Sequence, residues 1–136
     1  MPTFAPQITE YLERFRQGDV DEAFHGLLEM DDASLTELMA AFQAENDIDM
    51  RVFLLRVLWQ HRQQSVISLL EESLFDSEPR VWQEALDGLV TLASPEAVDA
   101  LRAAKKRQFS KQFDAEEFCR WLDEAIGQAE VEERKT

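Results

Sequence analysis

The side chains best suited to chemistry are few in this sequence: two histidines, His25 and His61, and one cysteine, Cys119. A zinc or di-iron site on helices needs a second nitrogen or sulfur ligand about three or four residues away on the same face, and neither histidine has one. Asp47 and Asp49 resemble the first ligands of a calcium loop, but the glycine and glutamate that such a loop requires are missing. The sequence therefore predicts no metal and no cofactor, and these two aspartates are interpreted as helix caps.

The single cysteine also argues against an enzyme. Cys119 cannot form a disulfide within the chain, and it lies next to an apolar stripe that contains Phe118, Trp121 and Leu122. Free cysteines are among the residues most often buried, so we expect it to pack in the core rather than attack a substrate. The sequence has no serine nucleophile-elbow motif and no glycine-rich phosphate loop. A non-enzymatic protein of a reducing compartment, the cytoplasm, is the expectation.

The charge balance limits the class of partner. Acidic residues outnumber basic ones by 28 to 14, and the formal net charge at pH 7 is −14. Such a chain repels nucleic-acid phosphates and anionic lipids, so neither nucleic acid nor a membrane surface is an expected partner. No stretch approaches the run of about 18 apolar residues that a membrane span needs, and no secretory leader is recognisable. Two interpretations of the charge stay open: a solvated surface, or binding to a basic protein.

Helices must position these side chains, because the sequence combines few glycines and prolines with apolar residues at three- and four-residue spacing. Asp47 and Ser94 are predicted helix caps, and Pro79 falls in the first turn of a helix. The apolar segment from Ile48 to His61 is expected to be covered on several sides. The predicted helices lie near residues 6–17, 20–30, 33–45, 48–61, 65–75, 79–93, 95–107 and 114–127.

Helical hairpins recur along the chain. A shift of 29 residues places Asp47 on Asp76, and a shift of 31 places Leu70 on Leu101. Periods of this size in helical sequence indicate stacked helical pairs. The matching positions resemble the short bacterial type of HEAT repeat, in which an acidic turn with proline precedes two apolar helices. In the best copy these positions are Asp76, Pro79, Val81, Ala85, Leu86, Leu89, Ala97, Val98 and Leu101.

This resemblance, which covers about residues 20–107, implies a fold and a kind of function. The fold would be all-α, a right-handed α-solenoid of stacked helical hairpins. Residues 1–127 would form a single HEAT-like domain, and residues 128–136 a charged, frayed C-terminal tail. The family consists mostly of scaffolds and adaptors that bind proteins, with a few enzymes. A small enzyme with a pocket joining a histidine to several acids is the least favoured alternative, and the oligomeric state is left open.

Candidate partner-binding residues follow from the second helix of each hairpin, which lines the inner surface in this family. Their exposed acids would form one negative surface that attracts a basic partner. We therefore hypothesise a bacterial cytoplasmic inhibitor of the immunity type, whose acidic face covers a basic effector. The alternative is an adaptor or chaperone-like scaffold subunit that binds through an apolar groove around Trp82 and Phe53, with Trp82 exposed as an anchor. The predicted partner-binding residues are Glu37, Glu45, Glu71, Glu72, Asp99 and Trp82.

Overall fold

The computed structural model describes residues 5–135, and within this range the regular backbone is helical, with no strand. The all-α class predicted from the sequence is confirmed. Short 3-10 segments precede α3 and α5 and follow α7. The α-helices of the described range are α1 (Pro6–Arg16), α2 (Val20–Leu28), α3 (Leu35–Ala44), α4 (Ile48–Gln60), α5 (Ile67–Ser73), α6 (Pro79–Leu92), α7 (Pro95–Ala103) and α8 (Gln112–Arg134).

Two of the predicted caps make hydrogen bonds at helix starts. The Asp47 carboxylate accepts a hydrogen bond from the backbone N–H of Met50 at 2.9 Å, and the Ser94 hydroxyl accepts one from that of Ala97 at 3.2 Å. Each bond satisfies one of the backbone donors left unpaired at the start of a helix. Proline occupies the first turn of α1, α6 and α7, where a missing N–H leaves no intrahelical acceptor unsatisfied. The starts of α1, α4, α6 and α7 therefore carry local sequence signals.

The chain divides into two compact units, one ending at Val66 and the other beginning at Ile67. In unit 1, α1 packs against α2, α3 packs against α4, and α2 also contacts α4. The apolar α4 is buried along most of its length, and Leu54, Leu55 and Leu58 are fully covered. The prediction that this helix is covered on several sides is confirmed within unit 1.

Unit 2 has two layers of helices. α5 lies beside α7 in one layer, and α6 lies beside α8 in the other. The layers meet through contacts of α6 with α5 and α7, and of α7 with α8. The core includes Leu70, Leu89, Leu101 and Phe118, each of which is exposed by 1% or less. The second helices of the predicted hairpins, α5 and α7, therefore lie side by side with their leucines buried.

The last helix is longer than predicted. The sequence predicts a helix end at Gly127, but α8 continues through this residue to Arg134. Glycine inside a helix costs only about 1 kcal/mol relative to alanine. Beyond Gly127, Ala129 is fully buried, and Glu130 forms an ion pair with Arg102 of α7 at 2.8 Å. These contacts within unit 2 hold the helix together past the glycine, so the predicted helix end is wrong and residues 128–134 belong to α8.

Candidate functional site

The predicted acidic residues of unit 2 lie on its α5–α7 layer. Glu72 and Asp99 are exposed, and Glu71 is half-buried. The Asp99 carboxylate lies 3.8 Å from the guanidinium of Arg102, whose pKa is raised above its ordinary value by a hydrogen bond to Glu130. Ion pairs between exposed side chains contribute little to stability and are screened by salt, so Asp99 remains a hydrated negative group. We call Glu71, Glu72 and Asp99 the α5/α7 acidic face.

The other two predicted acids lie in unit 1, where each contacts a group of its own unit. The Glu37 carboxylate accepts a hydrogen bond from the backbone N–H of Ala5 at 2.9 Å, just before α1. The Glu45 carboxylate lies 3.7 Å from the guanidinium of Arg16, the last residue of α1, and 22% of the Glu45 side chain is exposed. These two acids therefore connect α3 to both ends of α1, in addition to contributing negative charge.

Trp82 is not an exposed anchor. The residue is 4% exposed because α8 covers this part of α6. Its ring centroid lies 5.0 Å from that of Phe118 and 6.2 Å from that of Trp121, both in edge-to-face contact. Phe53 is also buried, at 5% exposure, with its ring centroid 4.3 Å from that of Phe15. The prediction that Trp82 is exposed is wrong, and Phe53, which was expected to line an apolar groove with it, is buried as well.

The large exposed aromatic residues of unit 2 include two on α8. Phe113 is 73% exposed and Trp121 is 39% exposed, although Trp121 was expected to belong to the buried stripe. Cys119 is exposed as well, contrary to its predicted place in the core. The buried side of α8 is centred on Phe118 and Leu122, each 1% exposed. Trp121 and Cys119 lie at the edges of this buried side and are therefore in contact with solvent.

Two cavities lie beside these exposed aromatic residues. The first, of about 560 Å³, is lined by Trp82 and Phe113 among other residues. The second, of about 160 Å³, is lined by Val90 and Trp121. Both have walls from α6 and α8. We call this region the α6/α8 groove and define it by Trp82, Leu86 and Val90 of α6 and Phe113, Trp121 and Glu124 of α8.

Arg107 lines the first cavity and holds its wall in place. The guanidinium donates a hydrogen bond to the backbone carbonyl of Leu74 at 2.6 Å. It also stacks on Phe109 and Phe118, with ring centroids 4.2 and 4.9 Å away. Burial lowers the pKa of Arg107 from its ordinary value, and the charge of Asp76 opposes that effect. The Arg107 side chain therefore connects the segment after α7 to Leu74, the residue after α5, and its charged group contacts residues of unit 2.

His61 makes structural contacts, and His25 lies at the surface. His61 has a side chain that is 3% exposed, with Nδ1 3.1 Å from a carboxylate oxygen of Asp32 and Nε2 3.2 Å from the carbonyl oxygen of Leu27. Both ring nitrogens are thus used within unit 1. His25 is exposed on α2. Among residues 5–135, no group of three or more His, Cys, Asp or Glu side chains is placed to hold a metal ion.

The helical hairpins and the repeat pattern are those of the α-solenoid class of proteins. A family model of HEAT repeats matches residues 35–110, more than half of the chain. The chain therefore belongs to the HEAT repeat family, whose repeats generally mediate binding between proteins. No curated protein and no solved structure matches the chain significantly. Over the described range, no helix combines the length and the apolarity that crossing a membrane requires.

Proposed function

We propose that this protein acts without catalysis, by binding a basic protein through the α5/α7 acidic face. The observation that carries the proposal is the exposure of Glu72 and Asp99 on two adjacent helices of a HEAT-repeat chain whose net charge is −14. Within this proposal the protein is a bacterial cytoplasmic inhibitor of the immunity type, which covers a basic effector and blocks its working surface.

Electrostatics supports a basic partner in two ways. The net negative charge of the chain raises the rate at which a cationic protein encounters it, and local carboxylates then fix the orientation of the complex. Lysine or arginine side chains of the partner would pair with Glu71, Glu72 and Asp99 at the contact. Exposed charges farther apart than about 8 Å are screened at physiological ionic strength, so binding of this kind must weaken as salt increases. An apolar interface has no such dependence.

The test combines charge reversal with a salt series. Tagged wild-type protein is compared with the triple variant Glu71→Lys, Glu72→Lys and Asp99→Lys in capture of proteins from a native lysate. The matched control reverses three other exposed acids and changes the net charge equally: Asp21→Lys, Glu29→Lys and Asp123→Lys. Capture is measured at about 20 mM and at about 500 mM salt, which brackets weak and strong screening.

One pattern of capture would support binding through the α5/α7 acidic face, and two others would contradict it. A basic protein should be retained at low salt by the wild type and by the control variant, shed at high salt, and lost with the α5/α7 variant. Equal retention by the α5/α7 variant and the control would show that this face is not the site. Retention that does not change with salt would show that charge does not drive binding.

A further inference from the structure

The α6/α8 groove presents two exposed aromatic residues of one helix, α8. Phe113 and Trp121 are eight residues apart on α8, which places them about 12 Å apart along the helix axis at about 1.5 Å per residue. Phe113 lines the larger cavity and Trp121 the smaller one. Exposed aromatic residues beside cavities are the usual anchors of protein interfaces, because they combine a large apolar area with few rotatable bonds.

The spacing of the two anchors favours a helical occupant. Two turns of an α-helix rise by about 11 Å, so apolar residues seven or eight positions apart on a partner helix match the separation of Phe113 and Trp121. The lining of the larger cavity includes Trp82, which is 4% exposed and packs against Phe118. An apolar side chain entering there would meet an already packed surface, which limits the entropy lost on binding.

The charges around the groove indicate whether the partner should be positively or negatively charged. The cavity linings include the carboxylates of Glu78, Asp114, Glu117 and Glu124, and Arg107 is the one lysine or arginine that lines either cavity in the described range. That arginine donates to the carbonyl of Leu74, the residue after α5, and stacks on two rings, so its charge is directed into the unit. A second copy of this chain would bring another net charge of −14, which like-charge repulsion disfavours. A cationic partner is complementary.

We propose that the α6/α8 groove binds a basic amphipathic helix of a partner protein. Its apolar residues contact Phe113 and Trp121, and its flanking lysine or arginine side chains pair with the exposed carboxylates of Asp114 and Glu124, because Glu117 is already paired with Arg120. The inference rests on the proposed function for the class of partner, a basic protein, and differs from it in the surface used. The groove lies on the α6–α8 layer of unit 2, whereas the acidic face lies on the α5–α7 layer.

The test uses a defined peptide on the whole chain. A fluorescein-labelled peptide of about 18 residues carries leucines along one helical face and lysines beside them. A second peptide has the same composition in an order without an apolar face. Binding is measured by fluorescence anisotropy for the wild type, Phe113→Ser and Trp121→Ala. The matched control is Val20→Ser, which removes an apolar side chain that is 44% exposed in unit 1.

The amphipathic peptide should bind more tightly than the reordered one, and Phe113→Ser and Trp121→Ala should each weaken it by about tenfold or more, while Val20→Ser leaves it unchanged. Equal binding of the two peptides, wild-type affinity in both groove variants, or no binding of the amphipathic peptide would overturn the proposal. If Trp121→Ala loses helical circular dichroism, the peptide affinity of Phe113→Ser decides the test. The Phe113 side chain is 73% exposed, so its removal should not unfold the protein.

The triple variant Glu71→Lys, Glu72→Lys and Asp99→Lys separates the two proposals. If it binds the peptide nearly as well as the wild type while Phe113→Ser does not, the groove is the site for this ligand. If the triple variant loses binding and the groove variants keep it, the groove proposal fails and the α5/α7 acidic face stands. If neither the triple variant nor the groove variants lose peptide binding, the groove proposal fails, and the capture experiment with its charge-matched control still decides the α5/α7 acidic face.

Discussion

The contact between α1 and α2 allows a sharp test of packing in unit 1. Gly26 of α2 lies against the ring of Tyr11 of α1, and a Cβ atom added at Gly26 would lie 2.2 Å from both Cε1 and Cζ of that ring. Carbon atoms in contact are normally about 3.5 to 4.0 Å apart, so the ring must move by more than 1 Å to admit a methyl group. Tyr11 is half-buried, which leaves it limited room to move.

The expected effect of Gly26→Ala is the difference between two opposing quantities. Alanine is favoured over glycine in a helix by about 1 kcal/mol, whereas overpacking costs about 1 to 3 kcal/mol. We therefore expect Gly26→Ala to lower the free energy of unfolding by about 1 kcal/mol. In a Tyr11→Ala background the clash is absent, and the same change should raise it by up to about 1 kcal/mol. The sign of the effect should thus reverse between the two backgrounds.

The assay is urea unfolding followed by far-ultraviolet circular dichroism for the four proteins of this cycle. Gly127→Ala is the matched control, because Gly127 lies inside α8 and an added Cβ would meet nothing within 4 Å. It should raise stability by up to about 1 kcal/mol in either background. Effects of Gly26→Ala that agree within about 0.5 kcal/mol in the two Tyr11 backgrounds would refute the contact.

Three further substitutions test other parts of the structure by thermal or urea unfolding. Trp82→Ala should cost about 3 to 5 kcal/mol because the indole is buried, and an unchanged melting temperature would show that it is not. His61→Leu should cost about 1 kcal/mol because the hydrogen bond from the ring to the carbonyl of Leu27 is lost, and wild-type stability would contradict that hydrogen bond. Arg107→Lys keeps the charge but loses the planar stacking and should cost about 1 kcal/mol, whereas a neutral result would mean that stacking contributes nothing.

The candidate acidic residues as a whole were predicted from sequence only in part, because the two in unit 1 make contacts that the sequence does not indicate. Glu71, Glu72 and Asp99 follow from the hairpin repeat, because buried leucines on a helix force the residues between them toward solvent. The contacts of Glu37 and Glu45 with α1 were not predicted, because they join side chains and backbone groups far apart in sequence. The apolar spacing of a helix shows which of its side chains are exposed to solvent. It does not show which groups from distant parts of the chain contact those side chains.

The α6/α8 groove had a weak signal in the sequence. Phe113 falls between the predicted helices at 95–107 and 114–127, and a large aromatic residue there has no predicted partner in the core. Trp121 lies at the margin of the apolar stripe of α8, where a small rotation of the helix decides between burial and exposure. An aromatic residue at such a margin is therefore the kind of position that sequence alone assigns incorrectly.

The sequence by itself determined the properties that depend on neighbours along the chain. The all-α class, the helix starts at Asp47 and Ser94 and the buried α4 arise from local caps and apolar spacing within one or two turns. The HEAT repeat follows from the recurrence of this pattern along the chain. Only the tertiary structure decided which of Trp82 and Trp121 is covered. Both tryptophans lie on amphipathic helices, and their exposure depends on how α8 crosses α6, a geometry set by the combined packing of unit 2 rather than by either helix alone.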